Sequence, residues 1–176
     1  MVVRELAPTD SIAELTALLH AAYAQLGDMG FNYTAVDQTE DVTRKRISRG
    51  LCLVATDNGA LFGTIMFHAP GQLAGCPCYE RPDVATIGQF GVLPGRQGTG
   101  TRLLREAETL AVASDAAELA LDTSEGAGHL IGWYEREGFR FVEHTQWPGK
   151  TYRSVIMSKR LRPVSAEAGM ANLPPA

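Results

Sequence analysis

One mixed β-sheet covered by helices, an α/β or α+β single domain, is the fold class predicted here, and three observations predict it. Apolar runs of strand length alternate along the chain with amphipathic stretches of helical period, instead of segregating by type. The 176 residues suffice for one domain at the usual size of about 150 residues each. A content of 45% hydrophobic and 20% charged residues is that of an ordinary globular protein, which excludes a fibre or a wholly disordered chain.

Val2 to Leu6 can form a short strand. Ser11-Ile12-Ala13-Glu14 then has capping-box spacing, with Ile12, Leu15, Leu19, Ala22 and Leu26 at helical intervals and Gly27 as the expected stop. Thr39 caps a second helix, with Glu40 and Asp41 in its first turn, Arg44, Lys45, Arg46 and Arg49 toward its end, and Gly50 after it. Each charge suits the dipole end near it. Between these helices residues 28–38 show no clean period but hold Phe31, Asn32 and Tyr33, aromatic loop residues that can line a cleft or pack over a core edge.

Leu51 to Thr56 and Leu61 to Phe67 flank Asp57-Asn58-Gly59-Ala60 and read as an antiparallel hairpin. His68 to Arg81, rich in Pro and Gly, reads as a long loop. Val84 to Val92 is the next strand, where Gly88 and Gly91 signal a bulge or a close approach to the backbone. Thr101 to Ser114 is a helix with Leu103, Ala107, Leu110 and Ala111 on one face. Leu119 to Asp122 is a short buried strand, Gly128 to Glu137 a helix closed by Gly138, and Phe139 to His144 and Tyr152 to Lys159 two final strands. The domain is expected over 1–160, with 161–176 a disordered tail.

Sixteen basic against twenty acidic residues leave a net charge of −4, without the basic excess that binding a phosphate backbone draws on, so nucleic acid is not expected as a partner. The first residues carry charge where a secretory signal needs an apolar run, and no stretch is long and apolar enough to span a membrane. The expectation is a cytoplasmic protein that does not engage membranes. Cys52, Cys76 and Cys78 lack the spacing of a zinc site, so no metal is expected and reduced thiols are.

The stretch most informative about chemistry is Phe90-Gly91-Val92-Leu93-Pro94-Gly95-Arg96-Gln97-Gly98-Thr99-Gly100-Thr101, which passes from a strand through a glycine-rich loop into a helix. Successive backbone N–H groups and the positive end of a helix dipole make such a loop a ready phosphate site, although a glycine-rich turn without a ligand has the same look. A P-loop needs Gly-Lys-Ser/Thr, but Gly100 is followed by Thr101-Arg102. A dinucleotide fingerprint needs a third glycine where Leu103 stands, so both patterns fail.

Phe90 to Ala107, followed by Trp133-Tyr134-Glu135-Arg136-Glu137-Gly138-Phe139, resembles the GNAT superfamily of acyl-CoA-dependent N-acyltransferases, and the element order from Val2 to about Lys159 is similar to that family's fold. The resemblance implies a mostly antiparallel central sheet flanked by helices. It further implies that Phe90, Gly91 and Val92 pair with the pantetheine arm of acetyl-CoA while Arg96, Gln97, Gly98, Thr99, Gly100 and Thr101 lie at its phosphates. In the family's Q/R-x-x-G-x-G/A loop, Gly98 and Gly100 match the two glycines if Gly95 takes the Q/R position, which shortens the loop after Pro94 but keeps Leu103 and Leu104 in core positions. Aligning Gln97 there instead puts Arg102 at the second small position. The asparagine often found before the family's final helix is missing near Ala127.

The resemblance makes Tyr134, of the Y-x-x-x-G-F motif, the general acid for the departing CoA thiolate, whereas its spacing from Leu130 alone reads as core. A phenol with pKa near about 10 stays a proton donor at neutral pH. The acceptor, a primary amine, must lose a proton before it attacks. Glu125, His129, Asp122 and Gln89 are the residues weighed for that step, and each has a plain structural reading as cap, surface or turn residue. The acceptor site is expected around Phe31, Asn32, Tyr33 and Tyr152, with the 68–81 loop and Trp147, and the net negative charge is compatible with a cationic amine. The function implied is transfer of an acetyl or other short acyl group from acetyl-CoA to that amine. A non-catalytic acyl-CoA-binding module is the alternative, and an exposed last strand or helix could pair with a second copy as a homodimer.

Overall fold

A computed structural model describes residues 1–161; the tail expected over 161–176 lies, from residue 162 onward, outside the described residues. Strand β1 (Val2–Glu5) leads into helix α1 (Ile12–Asp28), a short α2 (Thr34–Asp37) and α3 (Glu40–Ile47). Strands β2 (Leu51–Asp57), β3 (Ala60–His68) and β4 (Val84–Val92) follow, then α4 (Thr99–Ala113), β5 (Glu118–Ser124), α5 (Gly128–Arg136), β6 (Arg140–Thr145) and β7 (Ser154–Arg160). The seven strands form one sheet in the order β1-β2-β3-β4-β5-β7-β6. Every pairing is antiparallel except β4 with β5, which makes the sheet mixed and mostly antiparallel.

Alternation along β2 shows why helices cover both faces. Leu53 and Ala55 join the cluster formed with Leu103, Leu104, Ala107 and Ala111 of α4, whereas Cys52 and Val54 join Leu15, Leu18 and Leu19 of α1. A smaller cluster packs Cys76, Cys78 and Tyr79 of the 68–81 loop onto Ala120 and Ile156. All three cysteines are buried free thiols.

The caps on Ser11 and Thr39 form as expected, accepting from the N–H groups of Glu14 (3.2 Å) and Val42 (3.3 Å). The capping box is not reciprocal, because the Glu14 carboxylate instead accepts from the Leu61 N–H at 2.8 Å and ties α1 to β3. Gly27 does not stop α1. The helix runs on to Asp28 and the chain reverses at Gly30 with φ +89°. A Cβ on Gly27 would come within 2.9 Å of the Val36 side chain, so this glycine admits α2, an element without a sequence signal of its own.

The feature that positions the site is a split in the sheet. β4 and β5 pair only through Val84–Glu118, Ala85–Leu119 and Thr86–Ala120, and beyond those pairs the two strands have no registered partner in each other. β5 remains paired with β7 as far as Ser124, and β4 with β3 as far as Val92, so one edge of each strand is left open toward the gap. A bulge in β4 falls within this stretch: Thr64 faces Gly91 but Met66 faces Gly88, leaving one residue more on β4, and Gln89 takes φ +42°.

Candidate functional site

Two cavities occupy the split. One of about 250 Å³ is lined by Gly88, Gln89 and Phe90 of β4, Leu121 and Asp122 of β5, Tyr134 of α5, and Tyr23, Tyr33, Arg46, Trp147, Lys150 and Tyr152 from the surrounding elements. The other, about 190 Å³, is lined by Ala22, Tyr23, Phe90, Gly91, Val92, Thr123, Leu130 and Tyr134. Tyr134, Asp122, Phe90, Tyr23 and Tyr33 belong to both linings, so they stand where the two spaces adjoin.

Tyr134 is held there by the way α5 ends. The Phe139 N–H donates to the Tyr134 carbonyl at 3.0 Å, the Gly138 N–H donates to the Glu135 carbonyl at 3.0 Å, and Gly138 has φ +95°. This is a Schellman closure with Tyr134 at C3, Gly138 at C′ and Phe139 at C″. The Y-x-x-x-G-F spacing is therefore the spacing of a helix stop whose hydrophobic contact is the Tyr134–Phe139 ring pair, with centroids 5.8 Å apart. Trp133 packs edge-on against Tyr134 at 5.1 Å. The Tyr134 hydroxyl has no hydrogen-bond partner among the described residues, and burial raises its pKa well above the usual phenol value, which keeps the proton on it. Core residue and cavity residue are thus one and the same here.

Helix α4 begins at Thr99 behind Gly98, whose φ of +77° suits glycine. The N–H groups of Gln97, Gly98, Gly100 and Thr101 have no acceptor among the described main-chain and side-chain bonds, as expected of a helix start. Arg96 lies over the Phe62 ring, 4.5 Å from its centroid, and 3.9 Å from Asp57. The Thr101 hydroxyl donates to Glu137 at 2.9 Å, which leaves its N–H as the group it offers, whereas the buried Thr99 donates its N–H to the Arg96 carbonyl and its hydroxyl to the Met1 sulfur. Leu103 and Leu104 are fully buried. A Cβ on Gly91 would lie 2.9 Å from that of Ala22, so the close approach foreseen at this glycine is made by α1.

Of the expected acceptor residues, Tyr33 and Tyr152 line the larger cavity with ring centroids 4.8 Å apart. Phe31 and Asn32 do not line it. Phe31 packs edge-on behind both tyrosines and fills the space over Gly126, where a Cβ would meet it at 2.7 Å. Asn32 bonds the Gly149 carbonyl and the Thr151 N–H, both at 2.9 Å, and so pins the α1–α2 loop to the β6–β7 turn. These two residues support the wall formed by their neighbours.

Among the residues weighed for the amine proton, Glu125 is exposed and paired with Arg153 at 2.7 Å, and His129 is exposed; neither lines a cavity. Asp122 lines both. Its carboxylate accepts from the Tyr79 hydroxyl (3.2 Å), the Trp147 indole N–H (2.9 Å) and the Ser154 hydroxyl (3.0 Å). The long 68–81 loop thus contributes Tyr79, which fixes an acid. Gln89 accepts from Gln38 at 3.0 Å, and Gln38 also donates to Thr43 and accepts from Arg46 at 2.7 Å, a buried chain that engages both ends of the Gln38 amide and the oxygen of Gln89.

Sequence reasoning did not single out Tyr23, Arg46 or Lys150 for the site. Burial raises the Tyr23 phenol, and it lowers Arg46 and Lys150, each of which also feels the positive charge of a neighbouring arginine. Arg46 sat among the basic residues that suit a helix C-terminus, so its helical role masked its reach into the cavity. Among the described residues no group of His, Cys, Asp and Glu is arranged to hold a metal ion, and no helix is long and apolar enough to cross a membrane.

Comparison with known proteins adds a family and a fold. The model of the Acetyltransferase (GNAT) family matches residues 16–139. The S-(2-succino)cysteine N-acetyltransferase of Bacillus subtilis is 30% identical over 153 residues, covering 85% of this chain and 90% of that protein. The ribosomal-protein-S18-alanine N-acetyltransferase of Escherichia coli superposes with a TM-score of 0.67 at 18% identity, over 98% of this chain and 99% of its own. A GNAT acetyltransferase of Elizabethkingia anophelis with acetyl-CoA bound gives 0.64 at 15% identity, over 91% and 97%. At these identities the two structures speak for the fold alone.

Proposed function

The chain belongs to the GNAT acetyltransferase family, and from that premise we propose that it moves an acetyl group from acetyl-CoA to the primary amine of a small acceptor seated in the larger cavity, with Tyr134 as general acid. The observation that carries this reading is the place of Tyr134, common to both cavities in the split between β4 and β5. The open edge of β4 at Phe90, Gly91 and Val92 suits the main-chain groups of a pantetheine arm. The unbonded N–H groups at the start of α4 suit the phosphates. Acetyl-CoA is the acyl donor of the family; a longer acyl chain would have to fit the smaller space.

In this mechanism the amine nitrogen attacks the thioester carbonyl, the C–N bond forms and the C–S bond breaks. The thiolate takes its proton from the Tyr134 hydroxyl, whose raised pKa keeps it protonated until charge develops on sulfur. The amine's proton goes to Asp122 or to water beside it, the one carboxylate that lines the cavity among those weighed for this step. Like the curated relative, named for a cysteine derivative, the enzyme would take a small amino compound rather than a folded protein, which a cavity of about 250 Å³ suits.

The test is thiol release from acetyl-CoA in the presence of a panel of amines. Tyr134→Phe should lower kcat by about 10²-fold or more, within the usual range of general acid catalysis, while calorimetric affinity for acetyl-CoA changes little. Unchanged turnover would remove the general-acid role. Binding of acetyl-CoA without release on any amine would instead favour a non-catalytic binding module.

A further inference from the structure

We propose that Arg46 and Lys150 form a recognition site for a carboxylate of the acceptor, so that the enzyme acetylates anionic amino compounds. The inference deepens the reading above and rests on it. Both residues line the larger cavity, one from the last turn of α3 and the other from the turn between β6 and β7. Arg46 makes no ion pair among the described residues; its recorded bond is to the neutral Gln38 amide oxygen at 2.7 Å. Its neighbour Arg44, on the outer side of the same helix, is paired with Glu40 and Asp41. Lys150 donates to the Asn32 carbonyl at 2.8 Å and the Thr34 hydroxyl at 2.9 Å, again two neutral oxygens, which leaves one of its three protons uncommitted.

The cavity's one carboxylate attracts both cations from a distance but forms an ion pair with neither. Asp122 is held by Tyr79, Trp147 and Ser154, all uncharged, and forms no ion pair. Two cations and one anion therefore line a single cavity without contacting one another, a local excess of positive charge inside a protein whose net charge is −4. Partly buried cations without a counter-ion are costly to keep. Burial lowers both, helped by Arg49 at Arg46 and by Arg46 at Lys150 and only partly offset by Asp122, an imbalance that an anionic ligand relieves. A guanidinium presents a planar fork matched to a carboxylate, and Lys150 supplies a second point charge. Tyr33 and Tyr152 line the same space as uncharged side chains. With the acceptor's carboxylate at Arg46 and Lys150, its amine is directed toward the other charged group, Asp122, and so toward Tyr134.

The test pairs each carboxylate-bearing acceptor with its amidated analogue: glutamate, aspartate and S-(2-succino)cysteine against the same molecules with their carboxylates as amides, with putrescine as a cationic control. Thiol release from acetyl-CoA is followed throughout. At least one carboxylate member should exceed its amide in kcat/KM by about 30-fold, the lower end of what losing one side of a desolvated charge pair costs. Arg46→Gln and Lys150→Gln should each collapse that ratio through the acceptor KM, with the KM for acetyl-CoA unchanged, and Arg46→Lys should restore part of it. A purely structural role in holding Gln38 would lower both members of a pair alike and leave the ratio intact, which would overturn the proposal. Faster turnover of amides or putrescine would overturn it too while leaving acetyl transfer standing. Thiol release with no amine at all would remove both readings together.

Discussion

Gly91 and Ala22 show how closely α1 lies on the strand that borders the smaller cavity. A Cβ on Gly91 would sit 2.9 Å from the Ala22 Cβ and 3.4 Å from the Tyr23 ring, and both neighbours belong to a helix tied down by its own core. Gly91→Ala should cost about 1–3 kcal/mol by overpacking. Ala22→Gly alone should cost about 1 kcal/mol by helix propensity. If the contact is the cause, the double variant falls short of the sum by at least about 1 kcal/mol in urea denaturation, whereas simple additivity would assign the cost to strand propensity. Gly91 stood out as a place of close approach from its strand position alone. What approaches it, a helix some seventy residues earlier, is a fact of packing.

At the scale of elements, the end of α5 joins stability to chemistry. Gly138 adopts φ +95° and its added Cβ would meet only ordinary contact with Lys159 at 3.4 Å, so Gly138→Ala tests backbone conformation rather than crowding. A loss of about 1 kcal/mol is expected in denaturant unfolding. Because the Schellman closure holds Tyr134 at C3, kcat should fall as well if Tyr134 is the general acid proposed above, with the affinity for acetyl-CoA kept; full activity in a destabilised variant would separate the helix stop from that proposed role. The same element shows what was legible. Gly138 could be read as a helix stop because capping is local in sequence. Helix α2 could not, since its four residues are ordered by contacts such as Val36 with Gly27 and carry no period of their own.

Over the whole molecule, charge and pH behave differently inside and outside the site. His68 is buried at the end of β3, where burial first, then the nearby Arg46 and Arg49, push its imidazole down to about 4. Unfolded, it titrates near about 6.5. The unfolded chain therefore binds a proton that the native protein refuses. Stability is whole above about pH 6.5 and is lost as pH falls toward 4, with a slope of at most about 1.4 kcal/mol per pH unit. Urea denaturation at pH 7 and 5 should show a loss of about 2 kcal/mol that His68→Gln abolishes. An equal loss in that variant would place the effect elsewhere.

The amino-acid order by itself determined the alternation of strands and helices, the caps on Ser11 and Thr39, the presence of α4 after a glycine-rich loop, though not its start at Thr99, and the helix stop at Gly138, because each depends on residues within a few positions of one another. Only the tertiary structure decided that β4 and β5 part after three residue pairs, that Tyr134 is shared by both resulting cavities, and that Phe31 and Asn32 stand behind the wall they were expected to form. It also brought Arg46 and Lys150, more than a hundred positions apart, to one cavity against the sign of the protein's net charge. Net charge sums over the whole surface, whereas the field within a cavity is set by the few groups that line it, and chain folding rather than local sequence chooses those groups.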